Sequence, residues 1–351
     1  MPKRPDATFS IPAPEAARNV VLDLLGGVVR RRPLTGEEAL AALNRLEADA
    51  AAGDAAAQTA FARTLLTDSP DSRKNRRALL LLRRAAKKEL PQALHLLGLL
   101  YLRGQGLAAD REKGAALVIR AATAGLAEAE LDAAKAAKLG FGIPQSDEKA
   151  LYWWRLAGAQ GKTAAQREAG LAYLHARGTH KNYDEAAKWL RLAALAGDPP
   201  SQFALARLHQ RRDWPNARGE EAVHWMKEAA FSGIVEAQYR LGIFFWAGHA
   251  GKVDLREAVR WLCRAAENGS ATAMTTLAGF LMTGNALPLN RQHAYTLLSA
   301  AAGKGDAGAA ATAGSFDRLL SPREKRAALK VLRESEDDKR LIETLIPRNE
   351  R

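Results

Sequence analysis

The stretch GAQGKTAAQ, residues 158–166, holds the residue types of a phosphate-binding loop, with Gly161 followed by Lys162 and Thr163. In such a loop backbone amides cradle the phosphates, the lysine reaches the outer phosphates and the hydroxyl holds magnesium. The motif also needs a glycine at 156, where this chain has Leu156, and a buried strand before it, where ALYWWRLAGA has helical spacing. Nucleotide chemistry is therefore not expected here. His175 and His180 lie five apart, without the His-Glu-x-x-His spacing that puts two imidazoles on one helix face. No Ser/His/Asp constellation can be assembled from the order of the chain. Cys263 is the one cysteine, which excludes an intrachain disulfide and argues against a thiolate metal site. It occupies a position filled elsewhere by Arg83, Arg155, Arg191 and Lys227, so a solvated, partly exposed thiol is expected, with no neighbouring base to activate it. No catalytic residue, metal ligand or cofactor can be assigned.

Binding chemistry is better represented. His95, Arg103, Lys135, Lys138, Arg167, Arg207, Arg211 and Arg240 fall outside the small and apolar positions of their segments, and Tyr239 and Trp246 lie close in sequence phase. A basic groove with aromatic anchors suits an acidic peptide or protein segment, a solvated groove being the competing reading. Trp153, Trp189, Trp225 and Trp261 recur at one spacing and could stack bases or sugars, but their helix-packing phase points to the core. A second basic run, SRKNRRALLLLRRAAKK at 72–88, is either a convex patch for a partner or a solubilising face.

The elements that hold these residues follow from a period. Steps of 36 residues from Gly161 reach Gly53, Glu89, Gly125, Gly197, Gly233, Gly269 and Gly305 without insertion or deletion. Each unit reads as two helices. The first opens on Asp110, Ser146, Asn182, Asp254 or Asn290, whose side chains can accept from first-turn N–H groups. It runs through stretches such as EAVRWLCRAAENG and is closed by the periodic glycine in a left-handed conformation. Gly161 is thus a helix terminator. The second helix follows, as in VEAQYRLGIFFWAG. Columns of Ala and Gly, such as Ala57, Ala93, Ala129, Ala165 and Ala237, predict close helix approach. A bulky column of Leu81, Leu117, Trp153, Trp189, Trp225, Trp261 and Leu297 fills the space between successive pairs, so that stacking makes the core.

Written this way, ALHLLGLLYLRGQGLAADREKGAALVIRAATAG (93–125) and AQYRLGIFFWAGHAGKVDLREAVRWLCRAAENG (237–269) resemble the Sel1-like repeats, a subfamily of tetratricopeptide-like α-solenoids. The resemblance covers about residues 35–315 and implies an all-α, right-handed solenoid of about eight 36-residue helix-turn-helix repeats, whose second helices line the concave face. The departures are Glu89 in place of the glycine, and a unit at 198–220 that lacks the loop glycines and has His209 where an aromatic is usual. Secreted members are often braced by cysteine pairs, and their absence fits a cytoplasmic chain.

The expected organisation is an N-terminal extension with a short helix (1–33), the solenoid (34–315), and a C-terminal capping helix with a tail (316–351). Residues 20–29, VVLDLLGGVV, are interrupted by Asp23 and followed by three arginines, so they do not read as a signal peptide, and no run reaches the roughly 18 apolar residues of a membrane span. The formal net charge of +13 suggests an acidic partner. By resemblance the expected role is a non-enzymatic bacterial scaffold or adaptor that holds an acidic protein segment. A chaperone or immunity protein for a secreted effector is the alternative, and nucleic-acid binding through phosphates is the alternative of another class. The expected groove residues are His95, Arg103, Lys135, Arg167, Arg207, Arg211, Tyr239, Arg240 and Trp246.

Overall fold

The computed structural model describes residues 36–67, 72–249, 251–316 and 319–347, so the short helix expected within 20–32 lies outside the described residues. Among these residues there are eighteen helices and no strand. They group into two compact units that meet in sequence between Asn182 and Tyr183. The first unit holds α1 (Gly36–Ala52), α2 (Ala55–Thr67), α3 (Ser72–Ala86), α4 (Pro91–Arg103), α5 (Arg111–Thr123), α6 (Ala127–Leu139), α7 (Asp147–Ala159) and α8 (Thr163–His175). The second holds α9 (Tyr183–Leu195), α10 (Pro199–Leu208), α11 (Gly219–Phe231), α12 (Val235–Ala247), α13 (Leu255–Glu267), α14 (Ala271–Thr283), α15 (Arg291–Gly303), α16 (Ala307–Ser315), α17 (Pro322–Glu334) and α18 (Asp338–Leu345). In the first unit, and in the second from α9 to α16, each helix packs on the next, the pattern of an α-solenoid.

The punctuation predicted from sequence sets these boundaries. Gly161 has φ 82° and its N–H donates to the Gly158 carbonyl, so it ends α7 rather than holding a phosphate. Glu89 takes the same left-handed turn at φ 55° without being glycine, a conformation that costs an L-residue about 1 kcal/mol. Asp110, Ser146, Asp254 and Asn290 each accept from the backbone N–H three residues on. The second helices carry caps of their own, from Asp54, Asp198, Ser270 and Asp306.

Small residues allow close approach. A Cβ at Gly98 would lie 2.8 Å from the Gly114 carbonyl oxygen, and one at Gly114 would lie 2.8 Å from the Gly98 carbonyl oxygen, so α4 and α5 meet backbone to backbone. In the bulky column Leu117, Trp189, Trp225, Trp261 and Leu297 are buried, while Leu81 and Trp153 are half-buried. Each such side chain removed from water contributes about 2 kcal/mol, and the tryptophans belong to the core rather than to a stacking platform.

Two places depart from the regular repeat. After α10 the chain folds around buried Trp214, whose Nε1 donates to Asp184 Oδ1 at 3.0 Å, and Asn216 Nδ2 donates to the same oxygen at 2.8 Å. His209 is buried 4.9 Å from the Trp214 ring, and its Nδ1 accepts from the Arg218 N–H at 3.2 Å. At the C-terminus, α17 starts on a Ser321–Glu324 capping box and packs on α15, while α18 packs on α13. The expectation for Cys263 is corrected by α18. The thiol is 1% exposed, in one apolar cluster with Val259, Leu341, Ile342 and Leu345, because the last helix covers the position that is solvated in other repeats.

Candidate functional site

In the first unit three of the expected groove residues meet at one carboxylate. Asp132, on α6, lies with Oδ2 2.9 Å from His95 Nε2 on α4 and Oδ1 2.9 Å from Lys135 Nζ one turn along. Burial works to raise the pKa of Asp132, but the His95 hydrogen bond and the Lys135 charge outweigh it and hold the group below its ordinary value. Half-buried Arg103 also feels this carboxylate: burial lowers the guanidinium pKa and Asp132 opposes the shift. Arg167 is half-buried on α8. Lys138 pairs with Glu168 at 2.9 Å, its ammonium 5.3 Å from the Trp154 ring centre. Lys162, the lysine of the apparent phosphate loop, pairs with Glu128 at 2.6 Å.

The second unit is arranged differently. Exposed Arg207, on α10, has its guanidinium carbon 5.9 Å from the Phe203 ring centre. Arg211 lies beyond the end of α10, in the loop that replaces the regular turn. Its Nε and Nη2 donate to the two oxygens of Asp213 at 2.9 and 2.7 Å, and it stacks 4.8 Å over Tyr183. The Asp213 carboxyl is lowered to about 2 by hydrogen bonds from Arg211 and Tyr183. Arg240 donates to Glu236 one turn back on α12 at 2.7 Å. Tyr239 is half-buried against the apolar cluster of α13 and α14, whereas Trp246, in the last turn of α12, is 41% exposed and 6.0 Å from Phe280. Among the described residues no group of three or more His, Cys, Asp or Glu side chains is placed to hold a metal ion.

The family model for the Sel1 repeat matches residues 91–126, 127–162, 163–198, 199–231, 235–270 and 271–306, each match running from a second helix into the following first helix. This chain belongs to the Sel1 repeat family. Among solved structures it is similar to c5321, a protective antigen present in uropathogenic Escherichia coli strains and displaying an SLR fold, at 25% identity and a TM-score of 0.64 over 82% of this chain and 70% of that one. It is also similar to a Sel1 repeat protein from Oxalobacter formigenes, at 26% identity and a TM-score of 0.54 over 70% of this chain and 96% of that one. No curated protein matches the sequence.

The Sel1 register brings out a column that the sequence analysis passed over. Five residues after the periodic glycine stand Gln58, Gln166, Gln202 and Gln238, all buried. Each Nε2 donates to a carbonyl eight residues back, at Ala50, Gly158, Ala194 and Ala230, and so satisfies the end of the preceding helix. Two of them also reach the end of the helix that follows: Gln202 Oε1 accepts from Ser232 Oγ, and Gln238 Oε1 accepts from Asn268 Nδ2 at 2.9 Å. The same position in another Sel1 repeat is Glu130, which accepts from Gln160 Nε2 at 2.9 Å. It is 3% exposed, and burial raises its pKa.

A Sel1 repeat protein presents stacked helices to a protein partner, and that coarse role follows from family membership. Within it, six of the nine expected groove residues fall into two sets. His95, Arg103 and Lys135 form an ion network around Asp132, while Arg207, Arg240 and Trp246 offer charge and an exposed indole. Among the described residues no helix is long and apolar enough to cross a membrane.

Proposed function

We propose that this Sel1 repeat protein is a non-enzymatic bacterial adaptor in the cytoplasm that takes an acidic protein segment on its second helices. All the expected residues except Arg211, which lies in the loop after α10, are on second helices, and in this reading the strongest anchor is in the second unit. The observation that supports the reading best is Trp246: a large indole left 41% exposed on a second helix that also carries Arg240. Interfaces draw most of their affinity from such aromatic and arginine anchors, while rim charges mainly speed association.

Affinity capture from the native lysate, with and without nuclease and at low and moderate salt, tests the reading. Recovery of one protein with an acidic segment under all four conditions supports it, and a secreted effector as that protein narrows the role to chaperone or immunity protein. Trp246→Ala then weakens binding on the order of 30-fold, and Arg240→Ala and Tyr239→Ala by smaller factors, with helicity retained. Recovery of nuclease-sensitive material alone contradicts it, as do three variants that all bind like the parent.

A further inference from the structure

The first unit carries a second charged surface, on the opposite class of helix. From Ser72 to Ala86, α3 contains no acidic residue. Its Ala78, Leu79, Leu82, Ala85 and Ala86 are buried in the core, which fixes the opposite side in solvent. On that side Arg76, Leu80, Arg83, Arg84 and Lys87 are all exposed. Their spacing of i, i+4, i+7, i+8 and i+11 makes one continuous stripe, about 16 Å long at the helical rise.

These cations are not consumed locally. Among the described residues Arg76, Arg84 and Lys87 have no carboxylate partner, and Arg83 donates only to the Tyr101 hydroxyl, at 3.3 Å. Their neighbours show what a paired cation looks like here: Arg77 is bonded to Glu47 and lies over Phe61, and Arg120 is bonded to Glu89. Three of the four stripe cations are arginine, whose planar fork matches phosphate oxygens. Leu80, 57% exposed, is the one large apolar side chain of the stripe, too little to seat a helix in a lipid interface. The nearby aromatics Phe61 and Tyr101 are buried, so the stripe offers charge without the aromatic anchor of a protein-binding hot spot.

We propose that the outer face of α3 is a docking surface for the phosphate backbone of a nucleic acid, bound without base readout. The contacts are electrostatic, four cations against a polyanion, and the affinity is set by release of condensed counterions. This surface is separate from the second-helix face and would let the protein bind a protein segment and a nucleic acid together.

The test is fluorescence anisotropy of the full chain with a labelled duplex DNA of about 30 base pairs and a single-stranded RNA of similar length, at about 50 and 200 mM salt. The parent should lose on the order of 100-fold in duplex affinity across that range, as four phosphate contacts imply, with little dependence on sequence. The triple variant Arg76→Gln, Arg84→Gln, Lys87→Gln should lose at least about 10-fold at low salt, and its salt slope should fall by about three. A variant with the same charge change on α17, Arg326→Gln, Lys330→Gln, Arg333→Gln, should bind within a few-fold of the parent, and circular dichroism should show both variants folded. Equal losses in the two triple variants would mean that net charge alone drives binding and would overturn the site. Absence of binding at low salt overturns it as well, as does a preference for phosphatidylserine vesicles that Leu80→Ala abolishes.

Discussion

The two units use one repeat and join it differently. In the first, stacked helices are tied by charge: His95 to Asp132, Glu128 to Lys162, Lys138 to Glu168, and Gln160 to the buried Glu130. In the second, neutral ties, Gln202 to Ser232, Gln238 to Asn268 and Trp246 against Phe280, stand beside the ion pairs Arg191–Glu221 and Lys304–Asp338. Stacked repeats draw stability from nearest-neighbour interfaces, so each unit should inherit the chemistry of its own ties. Both should respond to carboxylate titration, and the second also to the buried imidazole at His209. The contrast also explains why the exposed indole and Arg207 are available in the second unit, while the basic groups His95, Lys135 and Lys138 on the second helices of the first face carboxylates.

The largest expected effect is at the hub of the charged unit. Asp132→Ala removes the acceptor of two charge-assisted bonds and leaves His95, Lys135 and Arg103 facing one another, a loss of about 2–3 kcal/mol. Hydrogen exchange read by peptide should show faster exchange in α4–α6 with α12–α14 unchanged. Because the folded-state pKa of Asp132 is lowered, its contribution is present above the ordinary aspartate value and is lost as pH falls through the folded value.

His209 gives the second unit its own acid sensitivity. Burial holds its pKa below the ordinary imidazole value. The neutral ring accepts the Arg218 N–H, whereas a protonated Nδ1 would point a donor at a donor. Its contribution is therefore complete above about pH 6.5 and is lost as pH falls through the lowered value, at no more than about 1.4 kcal/mol per pH unit. Exchange in the 209–218 loop and α11 should rise first on mild acidification, and His209→Phe should flatten that response.

Glu130→Gln should turn the charged unit toward the neutral pattern. An amide there can donate to the Ala122 carbonyl as its counterparts do and still accept from Gln160, a gain of about 1 kcal/mol. The sign with pH is opposite to that of Asp132. Burial raises the folded pKa of Glu130, so its favourable contribution is present at low pH and is lost as pH rises through the folded value. Denaturant melts of parent and variant across that window should diverge as pH increases, and parallel curves would remove the assignment. The smallest effect is at Glu89→Gly, where relief of the left-handed backbone should stabilise α3 and α4 by about 0.5–1 kcal/mol, the Arg120 pair being too exposed to offset it.

Much of the fold was legible because its signals are local and repeat. A glycine past each helix end and an Asp, Ser or Asn before it carry their own physical reasons, and the 36-residue spacing multiplied them. The buried glutamine column repeats in the same register, but an amide side chain on a helix is ordinarily solvated, so its spacing alone does not announce burial. Asp132 was harder. It is 37 residues from His95, and only the stacking of α4 on α6 makes them neighbours. Cys263 was misread because its environment comes from α18, about 80 residues later in the chain. Trp214 and Asp184 are likewise joined by a loop that has no repeat to announce it.

The central claim, an acidic segment held on the second-helix face, is tested most directly by a double-mutant cycle. Isothermal titration of the captured partner would pair Arg240→Ala in this protein with replacement of single acidic residues in the partner's segment. The account predicts a coupling of about 1 kcal/mol or more for at least one pair, together with a weakened but folded Trp246→Ala variant. Strict additivity for every acidic residue, with Trp246→Ala binding like the parent, would contradict it.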